Sequence, residues 1–258
     1  MTEALTELLG VAPQYFVPGF LVFLRVGAVM FMMPAFGEML VPARVRLAAA
    51  IAFTFVVAPA VTPSLQVALE SGRSLYIFGF FEVITGLALG LSLRMILMAL
   101  QVAATIAAQS TSLAQLLGGS AVDPQPAIGF VLLLAALALA AELGLHVQVS
   151  MMFIRSYELI EAGAAIGGSN LASWVVRAVS TAFTFAFTLA APFMAVSLLY
   201  NLALGVINRA MPQLMVAFVG APAITFGSLV LLALTAPLML WLWAEQFELR
   251  LQTPFGLR

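Results

Sequence analysis

Residues capable of chemistry are few in this chain and stand far apart. Glu142 and His146 lie four residues apart in an apolar tract, a spacing that sets two side chains on one face of a helix. A carboxylate and an imidazole so placed could relay a proton or supply half of a metal site. The chain holds one histidine and no cysteine, so it has no thiol nucleophile, no disulfide and no second half for such a site. No nucleophile stands beside a base, no phosphate loop is present, and no carboxylates are paired for acid–base work. The residue inventory argues against an enzyme and implies neither a metal nor a cofactor.

What remains is a set of solitary charges. Arg25 sits in Phe23-Leu-Arg-Val-Gly27, well inside an apolar tract, where a charge is costly unless it faces protein or water. Snorkelling to an interface is the alternative, but Arg25 is far from both ends of the tract, which favours a contact between helices. Glu82 and Arg94 share another tract. Twelve residues at the helical increment leave them about 120° apart, so each needs its own partner on another helix or chain. Gly86 and Gly90 lie between them as Gly-x-x-x-Gly, which permits close helix approach.

The elements that position these charges are apolar to an unusual degree. Of 258 residues, 64% are hydrophobic and only 8% charged, and the mean hydropathy is +1.13. No soluble fold of this size could bury so much apolar surface; soluble domains carry about 25% charged residues. The chain therefore reads as an integral membrane protein, or as a subunit buried in a membrane-associated assembly. Its net charge of −1 argues against nucleic acid as a partner. The acidic start, Met1-Thr-Glu-Ala-Leu-Thr-Glu7, lacks the positive n-region of a cleavable signal, so the first apolar helix must serve as the insertion signal.

Spanning the hydrocarbon takes about 20 apolar residues. Tracts of that order run near 11–33, 43–62, 75–108, 127–154, 174–200 and 214–243. The expectation is an all-α membrane-associated protein, residues 1–258 forming one domain of about six kinked apolar helices. The first tract breaks at Met33-Pro34. Pro59 and Pro63 are expected to end the second, leaving Leu65 to Ser74 as a short connector. Gly163 to Ser173, rich in Gly and Ser, reads as a loop.

Two stretches depart from this pattern. Residues 109–126, Gln109-Ser-Thr-Ser-Leu-Ala-Gln-Leu-Leu-Gly-Gly-Ser-Ala-Val-Asp-Pro-Gln-Pro126, are polar yet carry a single charge, Asp123. An ordinary extramembrane loop would carry more. A polar, uncharged segment suits the wall of a water-accessible cavity, where irregular backbone is tolerated; a plain connecting loop is the alternative. The second stretch is Asn208-Arg209-Ala-Met-Pro212-Gln213, with Arg209 the only charge from Ala178 to Ala244. Asn208 can end a helix in the left-handed conformation, and Pro212 prevents simple continuation. A plain polar turn and a fixed corner, bonded through Asn208, Arg209 and Gln213 to neighbouring backbone or a partner chain, both fit.

Gly205-Val-Ile-Asn-Arg-Ala-Met-Pro-Gln213, followed by Phe218-Val-Gly-Ala-Pro222, closely resembles the corner motif of the FliR family. These are export-gate proteins of bacterial flagellar and related type III secretion systems. Leu24-Arg25, Pro34-Ala-Phe-Gly37 and Pro42-Ala-Arg-Val-Arg46 also resemble that family, as do Gly144-Leu-His146 and Ser156-Tyr157, so the likeness covers essentially the whole chain. Where relatives often place Pro before the following Gly, this chain has Glu161-Ala-Gly163, which leaves the shape of that turn open.

The resemblance implies a structural subunit of the flagellar export gate in the bacterial inner membrane at the basal body. It implies FliP, FliQ, FlhB and FlhA as partners, lipid around them, and unfolded flagellar proteins as cargo, with no FlhB domain fused here. In that setting Gln109, Ser110, Leu116, Leu117, Gly118, Gly119, Ser120, Asp123 and Pro124 would belong to a plug in the export channel. Arg25, Pro34, Glu82, Arg94, Asn208, Arg209, Pro212 and Gln213 would make contacts between subunits or hold the fold. The competing reading is a small-solute transporter or channel, which broken helices and isolated charges also fit. Such transporters usually show internal repeats, and the first half holds no second copy of the Asn208-Arg209 corner. The charge-free tracts around that corner also exceed what a bilayer requires, which suits burial by protein neighbours.

Overall fold

The computed structural model describes residues 2–37, 41–70, 72–111, 127–211 and 216–255. Among them the chain is helical throughout: α1 (Thr2–Met32), α2 (Ala43–Leu69), α3 (Leu75–Thr111), α4 (Ala127–Glu142), α5 (Leu145–Leu159), α6 (Gly168–Ala210) and α7 (Val216–Gln252). Five helices are long and apolar enough to cross a membrane, or six spans if α4 and α5 count as one broken span. The all-α membrane architecture read from the apolar tracts is the one observed.

Several boundaries differ, each for a physical reason. Pro59 and Pro63 do not end α2; both lie inside it, and the helix runs on to Leu69. Each proline removes one donor, whereas ending the helix there would bare several amides and carbonyls in apolar surroundings. The fourth tract is not continuous. Gly144, at φ 72°, breaks it between α4 and α5, so Glu142 and His146 do not share a helical face, and both are exposed. Asn208 does not end α6; the helix passes through it to Ala210. Gln109 and Ser110, expected at the start of a loop, continue α3.

Pro34 does mark the end of α1. It is buried in a tight turn in which Gly37 donates its amide to the Met33 carbonyl, 2.6 Å away. Arg46 then reaches back to the Val41 carbonyl and over the Phe31 ring, tying the start of α2 to the end of α1.

The helices form two compact units. The first comprises residues 1–95, 141–178 and 247–258, and its core is built from Leu21, Val26 and Met30 of α1, Val57 and Leu65 of α2, Leu89 of α3 and Phe153 of α5. The second comprises residues 96–140 and 179–246. There, alanines at helical spacing on α6 (Ala182, Ala186, Ala190) are buried, and the indole of Trp243 donates to the Ile96 carbonyl at 3.2 Å.

In the first unit α3 lies directly against α1. A Cβ added at Gly86 would collide with the Arg25 carbonyl oxygen and come within 2.7 Å of the Ala28 Cβ. At Gly90 it would meet the Met32 Cβ at 2.7 Å and the Val29 oxygen at 2.9 Å. The Gly-x-x-x-Gly spacing is thus used for backbone approach. Gly86→Leu is expected to lower stability by about 1–3 kcal/mol through overpacking. Gly129→Ala, whose Cβ would sit 3.6 Å from that of Ala104, is expected to be tolerated. Thermal unfolding of both purified variants in detergent tests the contrast.

Candidate functional site: a buried ion pair at a three-helix junction

Close packing of α1 on α3 brings Arg25 and Glu82 together. They are 57 residues apart in sequence, and both are fully buried. The guanidinium meets the carboxylate through two bonds, Nε to Oε2 at 2.6 Å and Nη2 to Oε1 at 3.0 Å. This forked geometry matches a planar guanidinium to a planar carboxylate, which a lysine could not reproduce.

Helix α5 and the segment after it complete the site. The Tyr157 hydroxyl donates to Glu82 Oε2 at 3.0 Å, and the Gly163 amide donates to Oε1 at 3.0 Å. Glu82 thus accepts four hydrogen bonds, two on each oxygen. On the other side, Arg25 Nη1 donates to Ser156 Oγ at 3.0 Å and Nη2 to the Ile160 carbonyl at 3.3 Å. The Tyr157 ring lies 3.6 Å from the guanidinium carbon, a cation–π contact.

The local sequence explains why the backbone can reach the carboxylate. Ile160 leaves α5 in an extended conformation. Glu161 to Ala164 then form a turn closed by the Ala164 amide on the Glu161 carbonyl at 3.1 Å, with Gly163 at φ 65°. That conformation favours glycine, and a side chain there would also run into the Phe78 ring. The turn left open by Glu161-Ala-Gly163 therefore has a defined shape, held by Glu82.

The other expected site residues are placed as follows. Arg94 is half-buried on α3, and Gln109 is exposed near the end of that helix. Arg209 is exposed in the last turn of α6. Asn208 belongs to the α6 backbone, and Ser110 to that of α3. Leu116, Leu117, Gly118, Gly119, Ser120, Asp123 and Pro124 lie outside the described residues, as do Pro212 and Gln213. For Arg25 and Glu82, expectation turns inward. Each is expected to need a partner on another helix or chain, and within this chain the two partner each other. Ser156, Tyr157 and Gly163 were not foreseen as their supports. Two lone, opposite charges in separate apolar tracts were the available signal, and Ser156-Tyr157 lay within a segment already singled out.

Four of the five guanidinium N–H groups and both carboxylate oxygens are engaged within the chain, and what so bonded a pair does is hold helices in register. The buried pair and the apolar spans together are those of a helical membrane protein. The family model described as bacterial export proteins, family 1, matches residues 16–249. The flagellar biosynthetic protein FliR of Caulobacter vibrioides is 31% identical over 230 residues, covering 88% of this chain and 92% of that protein. Its counterpart in Bacillus subtilis is 28% identical over 242 residues, covering 92% and 93%. The Escherichia coli protein of the same name is 30% identical over 235 residues, covering 88% of each. The chain belongs to the FliR family of bacterial export proteins, and is a component of that export machinery.

Removing one member of a buried pair strands the other charge, at a cost of roughly 3–5 kcal/mol, whereas replacing both with apolar groups is often near neutral. Glu82→Leu and Arg25→Met are each expected to unfold the protein at markedly lower temperature. The double variant should recover most of the loss. A thermal-unfolding double-mutant cycle checks this, and additive losses would remove the pair from its assigned role.

Proposed function

We propose that this chain is a structural and gating subunit of the flagellar type III export gate. It forms, with FliP and FliQ, the channel through which unfolded flagellar proteins leave the cytoplasm. FlhB and FlhA are its further neighbours, and the site is the inner membrane at the flagellar basal body. The observation that carries the reading is a family match over nearly the full length, with flagellar relatives spanned to about nine-tenths. The structure supports a scaffold role in one further respect. Arg25 and Glu82 satisfy each other, so the transporter reading loses its best-placed candidates for a solute ligand. Exposed apolar side chains such as Phe55, Leu198 and Leu234 need lipid or neighbouring chains to cover them.

In this reading residues 109–126 gate the lumen. Their low charge and paired glycines, Gly118-Gly119, suit a plug that must seal around varied cargo and then yield. Arg209 and its corner, at the exposed end of α6, contact a neighbouring subunit.

Two outcomes follow. Bulky replacements at Gly118-Gly119, or deletions within 109–126, are expected to raise ion leak or impair motility while FliP and FliQ still co-purify. Unchanged leak and motility would make the segment a plain linker. Arg209→Ala is expected to lower recovery of the complex with FliP and FliQ from detergent extracts, and undiminished co-purification would count against the corner contact.

A further inference from the structure

Within the first unit, the end of α5, the loop after it and the start of α6 enclose a cavity of about 710 Å³. Its wall carries charges of both signs: Glu158 at the end of α5, Glu161 in the turn that follows, and Arg177 on α6. All three side chains are exposed. The carboxylates of Glu158 and Glu161 have no hydrogen-bond or ion-pair partner among the described residues. Trp174 and Phe255 supply an aromatic section of the wall, their ring centroids 5.4 Å apart.

The position along α6 fixes the surroundings. Arg177 is the last charge before a tract that carries none from Ala178 to Asn208, and α6 is long and apolar enough to span a membrane. A charge at the edge of such a tract marks the level where hydrocarbon gives way to headgroups. Tryptophan favours the same level, where an amphipathic ring meets both media. The cavity therefore opens where lipid headgroups lie.

We propose that this cavity binds the headgroup of an aminophospholipid, phosphatidylethanolamine. Its primary ammonium bonds Glu158 and Glu161, its phosphate meets the Arg177 guanidinium, and its glycerol end rests against Trp174 and Phe255. The match is one of charge pattern: two acids beside one base receive a cation beside an anion. An anionic lipid brings phosphate without ammonium and sets its charge against two carboxylates. A choline headgroup carries the positive charge but has no N–H to donate to them. A basic side chain of a neighbouring protein would answer the acids and set a like charge beside Arg177.

The cavity also adjoins the buried ion pair. Ile160, whose carbonyl accepts from Arg25, lines it, as does Ala164, next to the Gly163 that donates to Glu82. A headgroup held there braces the turn that the ion pair organises, and a ligand of the folded state alone stabilises that state.

The test uses the full chain purified in detergent, with phosphatidylethanolamine, phosphatidylglycerol or phosphatidylcholine of the same acyl chains added to the micelles. Native mass spectrometry counts bound lipid, and thermal unfolding is followed on the same samples. Phosphatidylethanolamine is expected to bind about tenfold more tightly than either of the others, as one extra hydrogen bond to a charged group would give, and to raise the unfolding temperature most. The pair Glu158→Gln and Glu161→Gln is expected to erase that preference. Glu142→Gln, at an exposed carboxylate outside the cavity, is expected to keep it. Equal binding of the three lipids, any other order among them, or a preference that survives the double exchange would overturn the proposal. The comparison of lipids on the unaltered chain decides it even where the double variant fails to fold. No partner subunit takes part, so the outcome is independent of the export-gate reading.

Discussion

The first unit depends on one constraint: two opposite full charges, placed where water cannot reach them, must meet. Stranding either would cost roughly 3–5 kcal/mol, a large share of the about 5–15 kcal/mol that separates folded from unfolded domains. The forked bond between Arg25 and Glu82 forms only when α1 and α3 are at the right depth and rotation. Glycines at 86 and 90 permit that depth by letting α3 meet the α1 backbone at the turn that carries Arg25. Apolar packing alone would tolerate a helix sliding by a turn. The ion pair does not.

The same pair organises the chain beyond its own helices. Arg25 and Glu82 together bind Ser156, Tyr157, the Ile160 carbonyl and the Gly163 amide. Those contacts fix the end of α5 and the turn that leads toward α6. A carboxylate bound by a backbone amide makes the path of that turn part of the ion pair's stability. Glycine is needed at 163 because of both its left-handed backbone and the Phe78 ring beside it.

Much of this architecture was legible in the sequence because apolar length is a strong signal. The tracts, the break at Pro34 and the need for Arg25 to face protein all follow from hydropathy and the cost of a buried charge. Pairing was not legible. Helical spacing relates residues a few positions apart, and nothing in it joins position 25 to position 82. Helix ends were misjudged where soluble-protein habits were applied: in water Pro59 or Asn208 could close a helix, with solvent taking the exposed groups. In an apolar environment the helix continues, because a missing bond costs less than an opened end. Gly144 acts in the opposite sense, breaking a tract whose hydropathy gives no hint of it.

Two ways of handling polar groups coexist in this protein, and each indicates what surrounds it. Hydroxyls such as those of Thr54 and Thr184 turn back onto their own helix and are indifferent to their neighbours. Arg25 and Glu82 are neutralised within the chain, so the fold of the first unit does not wait on any partner for them. A chain that pairs Arg25 and Glu82 internally while exposing apolar side chains such as Phe55, Leu198 and Leu234 is preorganised for docking. Its interior is already in register, so association need order only the contact itself. That division between a finished core and an unfinished surface suits the proposed place of this chain among sister subunits.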